Sequence, residues 1–142
     1  MKTILLIMIG LSVLNAEYIR DNANEVVLDT TTNLIWQDDA DAKTLTKSWV
    51  DAIGYCEALT LGGKSDWRLP NFNELYALAD RSKVNPAISD RFVNVASSFY
   101  WSSTTYVSYS DYAWSVRFYN GVGDGSNKTG SYYVRCVRSA DN

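Results

Sequence analysis

The sequence has no histidine, only two cysteines and only two prolines among its 142 residues. The missing histidine excludes a Ser-His or Cys-His nucleophile pair and any histidine-ligated metal site. The chain also lacks a block of basic residues and has a net charge of −3, so we do not expect nucleic acid as a partner. Catalysis would have to rest on carboxylates, for example Glu74 with Asp66 or Asp80. Because Glu74 has the position of a helix cap and the aspartates lie in surface-like segments, the sequence favours a protein that is not an enzyme.

One long apolar run is present, at the beginning of the chain. Lys2 precedes an apolar stretch over residues 4–14, and Leu14-Asn15-Ala16 forms a plausible cleavage site. This layout is typical of a secretory signal peptide over residues 1–16. The alternative is a membrane anchor, but a run of about 11 residues is short against the roughly 20 that span a bilayer. We therefore expect an exported protein, periplasmic or at the cell surface, in which residues 17–142 form one domain without a transmembrane segment.

The two cysteines, Cys56 and Cys136, belong to a chain that is predicted to leave the reducing cytoplasm. In an oxidising compartment such a pair is most simply explained by one disulfide bond. A bond that closes a loop of about 80 residues would stabilise the fold by roughly 4–5 kcal/mol in the chain-entropy description. Two buried free thiols are the alternative, whereas a metal site would need more ligands than two thiols supply.

The first half of the domain predicts a hairpin followed by an amphipathic helix. Residues 25–37 contain two short apolar stretches separated by a polar turn, which indicates a β-hairpin. Asp38, Asp39 and Asp41 then indicate a solvated surface loop. A calcium loop is the alternative, but the spacing lacks the glycine and the distal glutamate of an EF-hand. Apolar residues at spacings of three and four predict a helix that ends before Gly62-Gly63; they are Trp49, Ala52, Ile53, Cys56 and Leu59.

A second helix is predicted after Pro70. The proline favours an extended backbone over residues 67–69. Asn71 and Glu74 have the spacing of a capping box, which predicts a helix that continues to about Ala79.

From Phe99 onward the apolar pattern changes to period two. Tyr112, Trp114, Val116 and Phe118 are predicted to face the core, and they alternate with Ala113, Ser115 and Arg117, which are predicted to face solvent. A glycine-rich loop over residues 121–130 and a last strand over residues 132–137 complete the chain. The order hairpin, helix, helix and strands predicts an α+β domain with two helices packed on a twisted antiparallel sheet.

The segment over residues 102–133 is dominated by tyrosine and small polar residues. Of its 32 residues, 24 are Ser, Tyr, Gly, Thr, Asn or Asp, and six of the ten tyrosines of the chain lie there. Antibody paratopes use the same residues, because tyrosine gives a rigid amphipathic contact while Ser, Gly and Asn adapt. The alternative is that these residues are simply good strand and turn formers. The candidate ligand-binding residues are Tyr106, Tyr109, Arg117, Tyr119, Asn127 and Tyr133.

Several sequence blocks between Val26 and Arg138 resemble a known family. They include Asp66-Trp67-Arg68-Leu69-Pro70, which is the most specific, Leu34-Ile35-Trp36-Gln37-Asp38, Tyr55-Cys56-Glu57, Tyr100-Trp101-Ser102-Ser103-Thr104 and Val134-Arg135-Cys136-Val137-Arg138. With these blocks the chain resembles the Lcl C-terminal domain family, named for the last module of a bacterial collagen-like surface adhesin. The resemblance implies a C-type lectin-like fold, related to the formylglycine-generating type, in which a first-helix cysteine is bridged to the final strand. Cys56 and Cys136 fit that bridge.

The resemblance also implies adhesin-like binding, with sulfated glycosaminoglycans as a ligand class proposed for the namesake. Sulfates require clustered Lys and Arg, and the C-terminal third has only Arg117, Lys128, Arg135 and Arg138. The Glu-Pro-Asn and Trp-Asn-Asp triplets of calcium-dependent lectins are missing. We expect a module that binds an extracellular glycan or protein and needs no cofactor, calcium being the one candidate. A structural subunit of an envelope assembly is the second hypothesis, and an envelope hydrolase is the third.

Overall fold

Residues 17–141 are described by a computed structural model. The predicted signal peptide over residues 1–16 lies outside this range. In chain order the elements are β1 (Tyr18–Asp21), β2 (Val26–Asp29), β3 (Leu34–Gln37), α1 (Asp41–Thr44), β4 (Thr46–Lys47), α2 (Trp49–Ala58), α3 (Phe72–Leu78), β5 (Phe99–Thr105), β6 (Tyr112–Arg117), β7 (Val122–Asn127), β8 (Tyr132–Tyr133) and β9 (Val137–Ser139). None of the helices between residues 17 and 141 is long and apolar enough to cross a membrane.

The predicted α+β class is confirmed, but the strands form two sheets instead of the single antiparallel sheet that the sequence predicts, and there are three helices instead of two over residues 17–141. The first sheet is antiparallel with the order β1-β2-β3-β9, and its β2–β3 pair is the hairpin that the sequence predicts. The second sheet has the order β4-β8-β5-β6-β7, in which only the β5–β8 pair is parallel among the described strands. The predicted last strand over residues 132–137 is wrong. Tyr132 and Tyr133 pair in the second sheet, whereas the chain from Val137 pairs with β3 in the first sheet, so the two ends of this segment belong to different strands.

The two longer helices cover opposite faces of the second sheet. Ala52 and Cys56 of α2 pack in a buried cluster with Trp101 and Ala113, whereas Leu75 of α3 packs on the other side. The buried cluster that contains Leu75 also includes Trp36, Tyr100, Val116 and Phe118. Burial of each such large apolar side chain stabilises the fold by about 1.5–3 kcal/mol.

Coverage of both faces corrects the prediction for β6. Phe118 is buried as expected, but Tyr112 and Trp114 are only half-buried. Ala113 and Ser115, which alternate with them and were expected to face solvent, are fully buried beneath the α2 side. A period-two pattern indicates alternation of faces but does not indicate how each face is covered.

The predicted capping box and disulfide are both confirmed. The Asn71 side chain accepts a hydrogen bond from the Glu74 amide at 2.8 Å, and the Glu74 carboxylate accepts one from the Asn71 amide at 2.9 Å. Cys56 on α2 is bonded to Cys136 immediately before β9, with 5.5 Å between the two Cα atoms. The bond therefore ties the first long helix to the segment that links the two sheets.

The predicted solvated loop is wrong for Asp38, which is fully buried, whereas Asp39 is half-buried and Asp41 is exposed. The Asp38 carboxylate accepts hydrogen bonds from Arg20 Nε and the Val93 amide, both at 2.9 Å, from the Asn94 amide at 3.2 Å and from Arg135 Nη1 at 3.0 Å. Burial of a carboxylate requires such partners, since an isolated charge in the interior is costly. Arg20, Asp38, Val93, Asn94 and Arg135 form what we call the Asp38 centre.

Candidate functional site

The structure divides the six predicted ligand-binding residues among separate places. Tyr106 and Tyr109 are stacked, with ring centroids 6.1 Å apart and planes 11° apart. Arg117 instead lies over the Tyr119 ring, with its guanidinium carbon 5.0 Å from the centroid. Tyr106 packs on Trp114. Because Trp114 and Arg117 point to opposite faces of β6, the Tyr106–Tyr109 pair and the Arg117–Tyr119 pair belong to different surfaces.

The other two predicted residues have local structural contacts. The Asn127 side chain accepts hydrogen bonds from the Thr129 amide at 3.0 Å and the Thr129 hydroxyl at 2.8 Å, which closes a turn. Tyr133 is half-buried against Tyr100, with 5.5 Å between ring centroids.

A continuous row of aromatic rings extends from the Tyr106–Tyr109 pair. Trp114 lies 4.6 Å from Tyr106 and 4.8 Å from Phe72, and Phe72 lies 5.3 Å from Tyr76, all between ring centroids. At the other end Tyr112 lies 6.0 Å from Tyr109. We call these six residues the aromatic platform: Phe72, Tyr76, Tyr106, Tyr109, Tyr112 and Trp114. Tyr109 is its most exposed described ring, with 65 % of the side chain accessible, and Tyr76 follows with 41 %.

Phe72 and Tyr76 were not predicted as site residues. Both lie on α3, four residues apart, so they share one face of the helix. Leu75 and Leu78 are buried on its other face. The signal that could have found them is this pair of large aromatics outside the apolar stripe of a short capped helix.

Two glycines of β7 leave room for rings of the aromatic platform to pack directly on the strand backbone. A Cβ atom at Gly123 would lie 2.8 Å from Phe72 Cζ, and one at Gly125 would lie 3.1 Å from Tyr106 Cδ2. These glycines pair with Val116 and Trp114 in the β6–β7 register. The predicted flexible loop over residues 121–130 is therefore wrong: most of it is an edge strand, and its glycines allow aromatic rings to approach the backbone.

An arginine closes one end of the platform. The guanidinium carbon of Arg81 lies 3.5 Å from the Tyr76 ring centroid, close enough for a cation–π contact. Arg81 Nε donates to the Gly121 carbonyl at 3.1 Å and Nη2 to the Tyr76 carbonyl at 2.9 Å. Beside it is an open depression of about 500 Å³ lined by Phe72, Tyr76, Arg81, Trp114, Asn120, Gly121, Val122 and Gly123. The site thus combines an apolar floor of mutually tilted rings, phenolic hydroxyls and one cation held by backbone carbonyls.

The carboxylates considered for catalysis are held by other partners. Both oxygens of Glu74 accept hydrogen bonds from Arg68, at 2.6 and 2.7 Å. Burial alone would raise the pKa of Glu74, but the hydrogen bonds from Arg68 and the Asn71 amide hold it below its ordinary value. Hydrogen bonds from Arg138 lower the pKa of Asp66, and hydrogen bonds from Ser82 lower that of Asp80. A general acid requires a raised pKa, which is the opposite shift.

The acidic segment considered for calcium is also engaged. Asp39 accepts from the Gln37 side chain at 2.9 Å, and Asp41 accepts from the Tyr55 hydroxyl at 2.9 Å. Over residues 17–141 no three His, Cys, Asp or Glu side chains converge in a way that could hold a metal ion.

A comparison with protein families matches residues 25–138 to the model described as Lcl C-terminal domain. The matched range includes both cysteines, the whole aromatic platform and every residue of the Asp38 centre except Arg20. A search of curated proteins found no match.

Proposed function

The chain belongs to the Lcl C-terminal domain family, and from that premise we propose that it is an exported, adhesin-like module that binds carbohydrate on its aromatic platform. The proposal includes a C-type lectin-like fold. Cys56 lies on α2, the first long helix, and is bonded to Cys136 beside the last strand. This supports the proposal, since that fold would have a bridge from its first helix to its final strand. The disulfide also supports export to an oxidising compartment.

The observation that carries the proposal is the row of rings over the glycines of β7. Ligand sites are typically concave and mostly apolar, with a few well-placed polar groups. The C–H face of a sugar ring can stack on Tyr76, Phe72 and Trp114, while phenolic hydroxyls and Arg81 offer hydrogen bonds. Because the rings contact one another and the strand beneath, little side-chain entropy remains to be lost on binding.

The contacts of the titratable groups support a role without catalysis. The two cysteines are bonded to each other, and the chain contains no histidine. The carboxylates near α3 are paired with Arg68, Arg138 or Ser82. A surface that only binds needs none of these groups to react.

The test is a glycan array probed with the purified domain, with and without calcium. We expect selective, saturable binding that is lost in Tyr76→Ala and Tyr109→Ala. Tyr119→Ala is a matched control, because Tyr119 has 40 % of its side chain exposed against 41 % for Tyr76 but packs on Arg117 instead. Binding that is equally reduced in all three variants, or absent from the array, would contradict the proposal.

A permanent protein interface is the second candidate, and exposed valines near the platform favour it. Val107 is 95 % exposed in the loop that carries Tyr106 and Tyr109, and Val122, which lines the depression, is 52 % exposed. Contiguous apolar and aromatic surface of this kind is typical of protein contacts. Co-purification of one stoichiometric partner, lost in Tyr109→Ala, together with a silent array, would favour a structural subunit of an envelope assembly.

A further inference from the structure

A second, smaller cavity lies on the face of the first sheet that is opposite to Trp36 and Val137. Its volume is about 170 Å³. Ile35 and Arg138 are direct neighbours in the β3–β9 register and share this face. The apolar side chains that line the cavity are Val26, Ile35, Leu61 and Trp67, and the polar ones are Asp21, Asn24, Lys64, Arg138 and Asp141.

Arg138 is a buried cation whose hydrogen-bonding capacity is only partly used. Its side chain is 3 % exposed. Nε donates to Asp66 Oδ1 at 2.6 Å, and Nη2 donates to Asp66 Oδ2 at 3.3 Å and to Asp141 Oδ1 at 2.8 Å. Within residues 17–141, Nη1 makes no hydrogen bond, although a guanidinium offers five N–H donors. A buried guanidinium that lines a cavity is therefore able to bind a further acceptor.

The mouth of the cavity already holds a carboxylate. Asp141 Oδ1 accepts from Arg138, and Asp141 Oδ2 lies 2.7 Å from Lys64 Nζ. Asp141 and Lys64 are both largely exposed, with 60 % and 48 % of their side chains accessible, so this ion pair can open without disturbing the core. Arg138 and Lys64 thus both bind the Asp141 carboxylate, next to the apolar side chains that line the cavity.

We infer that this cavity is a binding site for a small carboxylate with a compact apolar tail, and that Asp141 is its intramolecular stand-in. The ligand carboxylate takes the place of Asp141 between Arg138 and Lys64, and its tail packs on Ile35, Leu61 and Trp67. The cavity is smaller than the roughly 300–1,000 Å³ of sites for drug-sized ligands, so the ligand is short.

The charges are consistent with this occupant. Among the four ion-paired groups, Arg138 and Lys64 are balanced by Asp66 and Asp141, so withdrawal of Asp141 leaves this group of side chains with one positive charge for the ligand. Asp21, the remaining acid at the rim, is turned to its own loop. Its oxygens accept hydrogen bonds from the Ala23 amide and from the amide and side chain of Asn24, at 2.8–3.1 Å.

The test compares the natural domain with Asp141→Asn, which keeps the size of the side chain but removes the competing charge. The probe is 3-methylbutanoate, titrated calorimetrically and followed through the indole N–H resonance of Trp67. Because Asp141 competes intramolecularly at an effective concentration in the millimolar range, we expect binding to become about tenfold tighter in the variant. The neutral amide of the same acid should not bind. Gly-Gly-Val against its C-terminal amide then distinguishes a free acid from a peptide terminus as the source of the carboxylate.

Two further variants make the test specific. Lys64→Met in the Asp141→Asn background should abolish the gain, whereas Lys83→Met, an exposed lysine elsewhere, should not. No shift of the Trp67 resonance in Asp141→Asn up to about 50 mM acid, well above a millimolar dissociation constant, would overturn the inference. Binding that ignores Lys64→Met would overturn it as well. Neither result bears on the aromatic platform, whose variants Tyr76→Ala and Tyr109→Ala leave this cavity intact.

Discussion

The Asp38 centre and the aromatic platform differ in where they place their side chains: the first buries charged groups, and the second exposes large aromatic rings. Asp38 and Arg135 are charged, yet both are at most 1 % exposed and their charges satisfy each other. The platform consists of large rings, yet Tyr76 and Tyr109 remain substantially exposed. Composition alone would assign these two groups the reverse positions.

The difference shows that stability and recognition depend on separate residues in this fold. The Asp38 centre joins β1, the end of β3, the segment near Asn94 and the approach to β9, so its loss loosens several elements at once. The platform is carried by α3, by β6 and by the loop before β6, and it lies over the edge strand β7. Variants should therefore affect either the free energy of unfolding or binding, and the following predictions test that separation.

The largest expected effect follows from Arg135→Met. The change leaves the buried Asp38 carboxylate without its more deeply buried cation, and we expect the free energy of unfolding to fall by about 3–5 kcal/mol. Urea denaturation measures it. Arg91→Met, at an exposed arginine, is the control and should change stability by less than about 0.5 kcal/mol. Equal losses in the two variants would show that the Asp38 centre does not contribute specifically.

Removal of the disulfide should cost nearly as much. The double variant Cys56→Ser, Cys136→Ser removes a bond between residues that are 80 positions apart. We expect the free energy of unfolding to fall by about 2–5 kcal/mol. Thermal unfolding of the variant and of the natural domain, each with and without reductant, gives the measurement. The variant should be insensitive to reductant, and a natural domain that shares this insensitivity would contradict the bond.

Gly123→Ala tests how closely the platform approaches β7. The added methyl would meet the Phe72 ring at 2.8 Å, so we expect a loss of about 1–3 kcal/mol from overpacking, with weaker ligand binding. The matched control is Gly54→Ala in the middle of α2, where nothing lies within 4 Å of the new Cβ. That variant should gain about 0.5–1 kcal/mol from helix propensity. If both variants stabilise the domain, the rings do not rest on the strand as described.

The smallest expected effect is on the pH dependence of the free energy of unfolding, through Glu74 in the first turn of α3. Because its hydrogen bonds hold the pKa of Glu74 below the ordinary value of 4.5, Glu74 stabilises the fold above that value. The contribution disappears as the pH falls through the lowered pKa of the folded state. Glu74→Gln can keep the capping geometry but not the charge, so its unfolding free energy should depend less on pH between about 3 and 5. If the free energy of unfolding of Glu74→Gln depended on pH in the same way as that of the natural domain, this role of the Arg68–Glu74 pair would be contradicted.

The sequence by itself determined the features that depend on neighbouring residues. The β2–β3 hairpin, the extended stretch before Pro70 and the capping box of Asn71 and Glu74 are written in turn residues and spacings of a few positions. The pairing of Cys56 with Cys136 followed because there was no other partner for either thiol. The stacking of Tyr106 on Tyr109 has the same local origin, since the two residues share one tyrosine-rich loop.

Only the tertiary structure decided which side chains meet across the chain. Arg135 lies 97 positions from Asp38, and Phe72 lies 42 positions from Trp114. Such contacts depend on how the two sheets and two helices pack, and no short sequence pattern encodes that packing. The same reason explains the glycines of β7, which read as a flexible loop until the rings that require them are placed above. Burial, pairing and exposure are properties of the folded surroundings, whereas hydrogen-bonded turns and caps are properties of the local chain.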